Sequence, residues 1–258
     1  MHDVRDVPAG ALPVGLAERL RRRWLRSGPS SGRSARVLST YERTAASYER
    51  IWRRLWLRVA GGAAETAMLG SVVDALSPLD GPRVLDAGAG TGALSRHLVQ
   101  ALPGLRPVLV DLSPKMLAQA ADLPAPRAVA SVQALPFADD SFDVVVSAWV
   151  IETVDSPRAA VAEMLRVLRP GGALVYSFCS RPVRRLDRWR SGPTRAVVHA
   201  LFAGHFLREE QTPFHDCDTS RRSSFAGGAA TVIVLGTCCT VNTAEAEGTV
   251  PVRAGTLL

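Results

Sequence analysis

The chain lacks the features that mark membrane-spanning, secreted and disulfide-stabilised proteins. Its apolar stretches stay well short of the roughly 18 residues that a membrane-spanning helix needs. Only four of its 258 residues are cysteines, all in the last third of the chain, which argues against a disulfide scaffold. The N-terminal region has no apolar run preceded by basic residues. We therefore expect no secretory signal and a cytoplasmic location.

Lysine is also scarce, since Lys115 is the single lysine among 31 basic residues. The formal net charge of +7 is spread unevenly along the chain. Residues 1–60 carry +8, residues 61–180 carry −4, and residues 181–195 carry +5. The basic excess therefore flanks a mildly acidic middle region, where we expect the chemistry to lie.

The first part of the chain reads as an appendage followed by helices. Residues 1–34 are expected to form a basic, partly flexible arm. Within it, Leu16, Leu20 and Trp24 recur every four residues and predict a short amphipathic helix over 16–26. Apolar residues three or four apart then predict a helical cap or lid over residues 35–78.

Beyond the cap, short apolar strands alternate with helices. This alternation predicts βαβ units and therefore a parallel sheet with helices on both faces. The predicted strands are 83–86, 107–111, 142–147, 173–178 and 231–235, and the predicted helices are 92–102, one beginning at Ser113-Pro114, and 157–168. Residues 241–258 are expected to form a flexible tail.

A glycine-rich turn follows the first strand, in the segment Asp86-Ala-Gly-Ala-Gly-Thr-Gly92-Ala93. Glycines at a strand-to-helix turn let the backbone approach a ligand closely. Gly88, Gly90 and Ala93 also satisfy the dinucleotide-binding pattern, with Asp111 placed suitably for a ribose. The glycines alone therefore leave an NAD(P)-dependent oxidoreductase open.

Two further features favour a cationic ligand instead. Asp86 stands two residues before the first glycine, where a carboxylate disfavours a pyrophosphate and favours an ammonium or a sulfonium. Downstream follow the blocks Leu135-Pro-Phe137, Ser141-Phe-Asp143 and Leu168-Arg-Pro-Gly-Gly172, in that order. Over residues 80–180 the sequence resembles the class I S-adenosylmethionine (SAM)-dependent methyltransferases that act on small molecules.

This resemblance implies a Rossmann-like, doubly wound α/β fold with a mostly parallel seven-stranded sheet. It places the SAM-binding domain at residues 79–240, with an acceptor-side insert at 181–229. The cofactor implied is SAM, with S-adenosylhomocysteine (SAH) as product and no metal. The implied cofactor-binding residues are Asp86, Gly88, Gly90, Gly92, Asp111, Leu112, Met116, Ser131, Val132 and Ala148. Ser131 departs from the family pattern, which has an aspartate at that position.

The acceptor side is less well defined. Glu152, just beyond the fourth strand, is our candidate for acceptor contact or general base, although family members often have histidine there. Tyr41, Tyr48 and Trp149 are candidate substrate contacts, and each also suits packing of the core or lid. His215, Cys217, Cys238 and Cys239 do not have the spacing of a metal site.

The main function hypothesis is methyl transfer from SAM to an O, N or C atom of a small-molecule acceptor. Besides the oxidoreductase, the alternatives are a methyltransferase acting on RNA and one acting on a membrane-associated lipid or quinone. The motif typical of amino-base methylation is missing after the fourth strand, so we do not expect a nucleic-acid partner. The 16–26 helix suggests peripheral membrane contact. The sequence does not define the oligomeric state.

Overall fold

A computed structural model describes residues 33–179, 221–225 and 230–236. Most of the basic arm with its 16–26 helix, most of the 181–229 insert, and the 241–258 tail lie outside these residues. So do His215, Cys217, Cys238 and Cys239. Within the described part of the chain, no helix is long and apolar enough to cross a membrane.

The described strands form one mostly parallel sheet. They are β1 (Val84–Ala87), β2 (Val108–Asp111), β3 (Arg127–Val129), β4 (Phe142–Ala148), β5 (Leu168–Cys179), β6 (Arg221–Phe225) and β7 (Ala230–Gly236). Their order in the sheet is β3-β2-β1-β4-β5-β7-β6. The first five strands run parallel, whereas β7 pairs antiparallel with both β5 and β6. The predicted doubly wound α/β class is thereby confirmed.

Helices cover both faces of the sheet because alternate strand residues point in opposite directions. The helices are α1 (Arg33–Thr44), α2 (Gly62–Leu76), α3 (Ala93–Ala101), α4 (Pro114–Ala118) and α5 (Pro157–Arg166). One cluster of buried side chains joins Val84, Val144 and Val146 to α2 and α3, and another joins Leu85 and Val145 to α5.

Two helices begin as the sequence predicts, with a serine cap followed by proline. The Ser113 hydroxyl accepts a hydrogen bond from the Met116 N–H at 3.1 Å, and the Ser156 hydroxyl accepts one from the Ala159 N–H at 3.3 Å. The Ser113 cap directly follows β2. It therefore places the N-terminus of α4 at the carboxyl edge of the sheet, where ligands bind in folds of this class.

The cap segment, residues 33–61, is helical but irregular. Beyond α1 it contains a 3₁₀ turn, Ala45–Ser47, and two π turns, Glu49–Arg53 and Leu57–Gly61. π turns inside helices are rare and occur frequently at functional sites. Polar contacts join the cap to the domain below: the Ser113 hydroxyl donates to Glu42 at 2.6 Å, and the Thr91 hydroxyl donates to Glu49.

Candidate functional site

The loop between β1 and α3 forms the floor of the site. Gly88 has φ of +82°, a left-handed backbone conformation that residues other than glycine rarely adopt. A Cβ at this position would also collide with the Val150 side chain. The loop can therefore lie flat beside a ligand only because residue 88 is glycine.

Asp111 ends β2 and faces this loop. Its two carboxylate oxygens accept backbone N–H bonds from Gly90 and Ser113, both at 2.8 Å. Burial raises the pKa of Asp111 to about 6, although these two bonds favour the charged form. Each carboxylate oxygen has a second lone-pair site, so the residue can still accept hydrogen bonds from a ligand.

Asp86 lies deeper, in β1, and its side chain is fixed from α3. The residue is 1% exposed, and the Ser95 hydroxyl donates to its carboxylate at 2.6 Å. Burial raises the pKa of Asp86 to about 7. None of the ion pairs among the described residues involves Asp86. A buried carboxyl group in that state is a position where a positively charged ligand would be stabilised.

These residues surround a cavity of about 1070 Å³, part of which is open to solvent. The cap segment forms one wall, and the carboxyl edge of the sheet forms the other. The predicted site residues that line it are Tyr41, Tyr48, Asp86, Gly88, Gly90, Asp111, Leu112, Met116, Ser131, Val132, Ala148 and Trp149. Residues separated by more than 100 positions in the sequence thus meet at one cavity.

Aromatic side chains dominate one part of the cavity. Trp149 follows β4 with φ of +62°, and its ring packs edge-to-face against Trp56 with centroids 4.9 Å apart. Tyr41 and Tyr48 form a second edge-to-face pair at 5.6 Å. Burial raises the pKa of both tyrosines above the usual value of 10, so both phenols stay protonated at neutral pH. Each therefore offers a hydrogen-bond donor beside apolar ring surface.

Two predicted site residues do not line the cavity. Gly92, with φ of +77°, caps α3 and packs against Ala120 and Leu123, where a Cβ would lie 2.8 Å and 2.9 Å from them. Glu152 is 2% exposed and accepts a hydrogen bond from the Cys179 N–H at 3.1 Å. Its side chain is not among the residues that line the cavity, but besides burial its charge raises the pKa values of Tyr41 and Tyr48, which do line it. Acceptor contact by Glu152 stays a prediction.

Two charged residues of the cavity lining were not singled out from the sequence. Arg53, in the first π turn of the cap, forms an ion pair with Glu65 of α2. Both side chains line the cavity. The sequence holds 13 arginines among its first 60 residues, so only the fold distinguishes Arg53 from its solvent-exposed neighbours.

The charges and shape of the cavity fit SAM. Within the described ranges, the charged residues that line it are three acids and one base, namely Asp86, Asp111, Glu65 and Arg53. SAM carries a sulfonium, an ammonium and a carboxylate, two positive groups and one negative group. The glycine loop provides close backbone approach, and the buried acids provide the negative environment. Among the described residues, no group of three His, Cys, Asp or Glu side chains could hold a metal ion.

Comparison with known proteins agrees with this geometry. The fold resembles the crystal structure of a SAM-dependent methyltransferase from Thermotoga maritima, described as a possible histamine N-methyltransferase. The TM-score is 0.53 at 21% identity, over 78% of this chain and 99% of that one. At this level of identity the likeness shows that the two proteins share the doubly wound α/β fold.

A methyltransferase-domain family model matches residues 85–176. The chain is 34% identical over 172 residues to a demethylmenaquinone methyltransferase of Clavibacter sepedonicus, covering 61% of this chain and 69% of that protein. This chain belongs to the family of class I SAM-dependent methyltransferases.

Other relatives have related names. A demethylmenaquinone methyltransferase of Renibacterium salmoninarum is 44% identical over 134 residues, which cover 50% of this chain and 54% of that protein. The ubiquinone/menaquinone biosynthesis C-methyltransferase UbiE of Stutzerimonas stutzeri is 31% identical over 178 residues, which cover 61% of this chain and 63% of that protein. The chain thus spans between half and two thirds of the length of these two relatives.

Proposed function

We propose that this protein transfers the methyl group of SAM to a small-molecule acceptor that has a flat apolar ring. The observation that carries the proposal is one cavity that combines buried acids with two aromatic pairs. The acids, Asp86 and Asp111, suit the cofactor. The aromatic pairs, contributed by the cap and the end of β4, suit the ring of an acceptor.

On the cofactor side, Asp86 would hold the ammonium group and Asp111 the ribose hydroxyls by charge-assisted hydrogen bonds. Leu112 and Met116 would pack on the adenine, with Ser131 and Val132 at its edge. The Ser131 hydroxyl already accepts the Gln133 N–H at 3.1 Å, which leaves its own proton to donate to a ring nitrogen. Ala148 would lie near the sulfonium, and the Gly88–Gly90 backbone would pass alongside the methionine part.

When bound, SAM supplies an activated methyl group that an O, N or C nucleophile displaces in line. The residues of this chain would contribute mainly by holding the two reactants in contact and excluding water. Tyr41 and Tyr48 remain protonated, so they would donate hydrogen bonds to an acceptor oxygen rather than remove a proton. We assign no general base among the cavity residues.

The names of the relatives suggest the chemical class of the acceptor. Two are called demethylmenaquinone methyltransferases and one a ubiquinone/menaquinone C-methyltransferase. A reduced quinone ring is flat, apolar on its faces and polar at its hydroxyls, which matches aromatic walls with phenolic donors. We therefore propose a hydroquinone-type acceptor, with the protein working in the cytoplasm and touching the membrane surface through residues 16–26.

The proposal is tested in two steps. Calorimetric titration with SAH and with NADH separates a methyltransferase from an oxidoreductase, and we expect saturable binding of SAH alone. Transfer of a labelled methyl group from SAM is then measured with a short-chain naphthohydroquinone, a simple catechol and total RNA. We expect label in the naphthohydroquinone. Saturable NADH binding without SAH binding, or label found in RNA alone, would overturn the proposal.

A further inference from the structure

The cap segment presents a basic surface on the side that faces solvent. Five of its arginines are exposed, and within the described part of the chain no ion pair or side-chain hydrogen bond involves their guanidinium groups. Among the described residues, Ile51 is the single large apolar side chain that is strongly exposed, at 49%. We call this surface the outer face of the cap, and it consists of Arg36, Arg43, Arg50, Ile51, Arg54 and Arg58.

The helical spacing turns these arginines away from the cavity. In α1, the side chains of Val37, Leu38 and Tyr41 line the cavity. At 3.6 residues per turn, Arg36 and Arg43 are two turns apart and lie on the opposite side of the same helix. The other three arginines follow one another at intervals of four residues and are also exposed. The cap therefore has one side toward the cavity and a basic side toward solvent.

The acids of the cap do not neutralise its outer face. The cap segment contains two acids, Glu42 and Glu49. Glu42 accepts a hydrogen bond from the Ser113 hydroxyl at 2.6 Å, and Glu49 accepts one from the Thr91 hydroxyl. Both carboxylates are thus engaged with the domain beneath the cap. The outer face is left with five positive charges and no acid to balance them.

A bilayer that contains anionic phospholipids fits this combination of charge and apolar surface. The negative potential of such a bilayer attracts arginine side chains, and an exposed apolar side chain is stabilised by entering the interface. The phosphates of a nucleic acid would also attract the arginines. They offer no apolar contact to Ile51, however, so the exposed isoleucine favours the membrane.

We propose that the outer face of the cap docks the protein on an anionic phospholipid membrane. An α-helix with its side chains is about 10–12 Å across, so docking would place the cavity about one helix diameter from the lipid headgroups. An acceptor dissolved in the membrane would then lie close to the cavity. Docking itself does not depend on methyl transfer, whereas this delivery of the acceptor rests on the proposed function.

The first test is cosedimentation of the full-length protein with vesicles. We expect binding to vesicles of mixed phosphatidylcholine and phosphatidylglycerol, little binding to phosphatidylcholine alone, and weaker binding as the salt concentration rises. Arg50→Gln and Arg54→Gln should each weaken binding about 5-fold, because each removes one positive charge from the docked surface. The double variant should weaken it about 25-fold.

Arg106→Gln is the matched control. Arg106 is exposed and, in the described part of the chain, takes part in no ion pair. It precedes β2, at the amino edge of the sheet, opposite the cavity. Its loss should change vesicle binding by less than about 2-fold, although the net charge falls by the same amount as in Arg50→Gln. Residues 16–26 are intact in every variant, so a difference between variants reports the outer face of the cap.

Ile51→Gln separates a membrane from a nucleic acid. It removes apolar surface without changing the charge, so vesicle binding should weaken roughly 3- to 10-fold at every salt concentration. Binding of total RNA, measured in parallel, should not change. If the protein binds RNA through the same arginines and does not bind anionic vesicles, the membrane proposal is overturned.

Methyl transfer links docking to the acceptor. With a long-chain naphthohydroquinone in anionic vesicles, the rate for the Arg50→Gln/Arg54→Gln variant should fall with the fraction of protein bound. With the short-chain acceptor in solution, its rate and its SAH affinity should equal those of the wild-type protein. If Arg50→Gln and Arg106→Gln weaken vesicle binding equally, the docking face is overturned and the proposed function stands. If neither acceptor is methylated but vesicle binding depends on Arg50, the docking face stands and the proposed function is overturned.

Discussion

The substitution Asp86→Asn should make the empty protein more stable at neutral pH while it weakens cofactor binding. Asp86 is almost fully buried, and burial raises its pKa from 3.8 to about 7. The folded protein therefore binds this proton more tightly than the unfolded chain. The stabilising effect of the proton is fully present below pH 3.8 and is lost as the pH rises to 7. Above pH 7, keeping the folded carboxylate charged costs about 4 kcal/mol.

Asparagine removes this pH-dependent cost and keeps the acceptor oxygen for the Ser95 hydroxyl. The free energy of unfolding of Asp86→Asn relative to wild type should thus increase by about 3 kcal/mol between pH 5 and pH 8. Urea unfolding of both proteins, without ligand, at pH 5, 6, 7 and 8 measures this difference. A difference that stays constant across the four pH values would refute the reasoning.

A second buried aspartate provides the control. Asp143 in β4 is 5% exposed, but it accepts the Arg83 N–H at 2.6 Å and forms an ion pair with Arg169. Asp143→Asn should destabilise the protein at pH 8, because it removes the charge of a buried carboxylate that the half-exposed Arg169 neutralises. If Asp86→Asn stabilises the protein at pH 8 and Asp143→Asn destabilises it, burial alone does not explain the destabilising effect of the Asp86 charge. The difference is then due to the arginine that neutralises Asp143.

Two other substitutions test the floor and the back of the cavity. Gly88→Ala should lower the free energy of unfolding by more than about 2 kcal/mol and abolish SAH binding, because it adds a clash with Val150 to an unfavourable φ. The control is Gly81→Ala, at a residue with φ of +57° where a Cβ would meet no atom within 4 Å. It should lower the free energy of unfolding by about 1 kcal/mol and leave SAH binding intact. Glu152→Gln keeps an acceptor for the Cys179 N–H, so turnover should stay within about 3-fold of wild type and SAH affinity should not change. A 100-fold fall in turnover of the folded variant would restore Glu152 as a catalytic residue.

The parts of the fold that local sequence determines were predictable. β1, β2 and β4 are apolar runs that end at the edge where the cavity forms, and β1 leads into the glycine-rich loop. The strands that sequence did not reveal are β3, Arg127–Val129, and β6, Arg221–Phe225. β3 is three residues long and β6 is largely polar, so neither shows the apolar pattern of a buried strand. Their pairing with β2 and β7 identifies them instead.

The sequence predicted the site residues that lie at the end of a strand. It did not predict the orientation of a side chain that depends on packing against residues far away in the sequence. Asp86 and Asp111 have fixed positions relative to the sheet. Glu152 instead lies in a single 3₁₀ turn, Ile151–Thr153, in which a change of one residue turns a side chain from the cavity to the core. Ile151 and Glu152 are both buried there, and the Cys179 N–H supplies a partner for the carboxylate.

Charge within the cavity links its stability to its proposed chemistry. Burial raises the pKa values of Asp86 and Asp111 to about 7 and 6, so in the empty protein both carboxyls release their protons close to neutral pH. A ligand with two positive groups would favour the ionised forms and lower both pKa values. The free energy of ligand binding would then offset the destabilisation that ionising these two buried carboxyls causes in the empty protein.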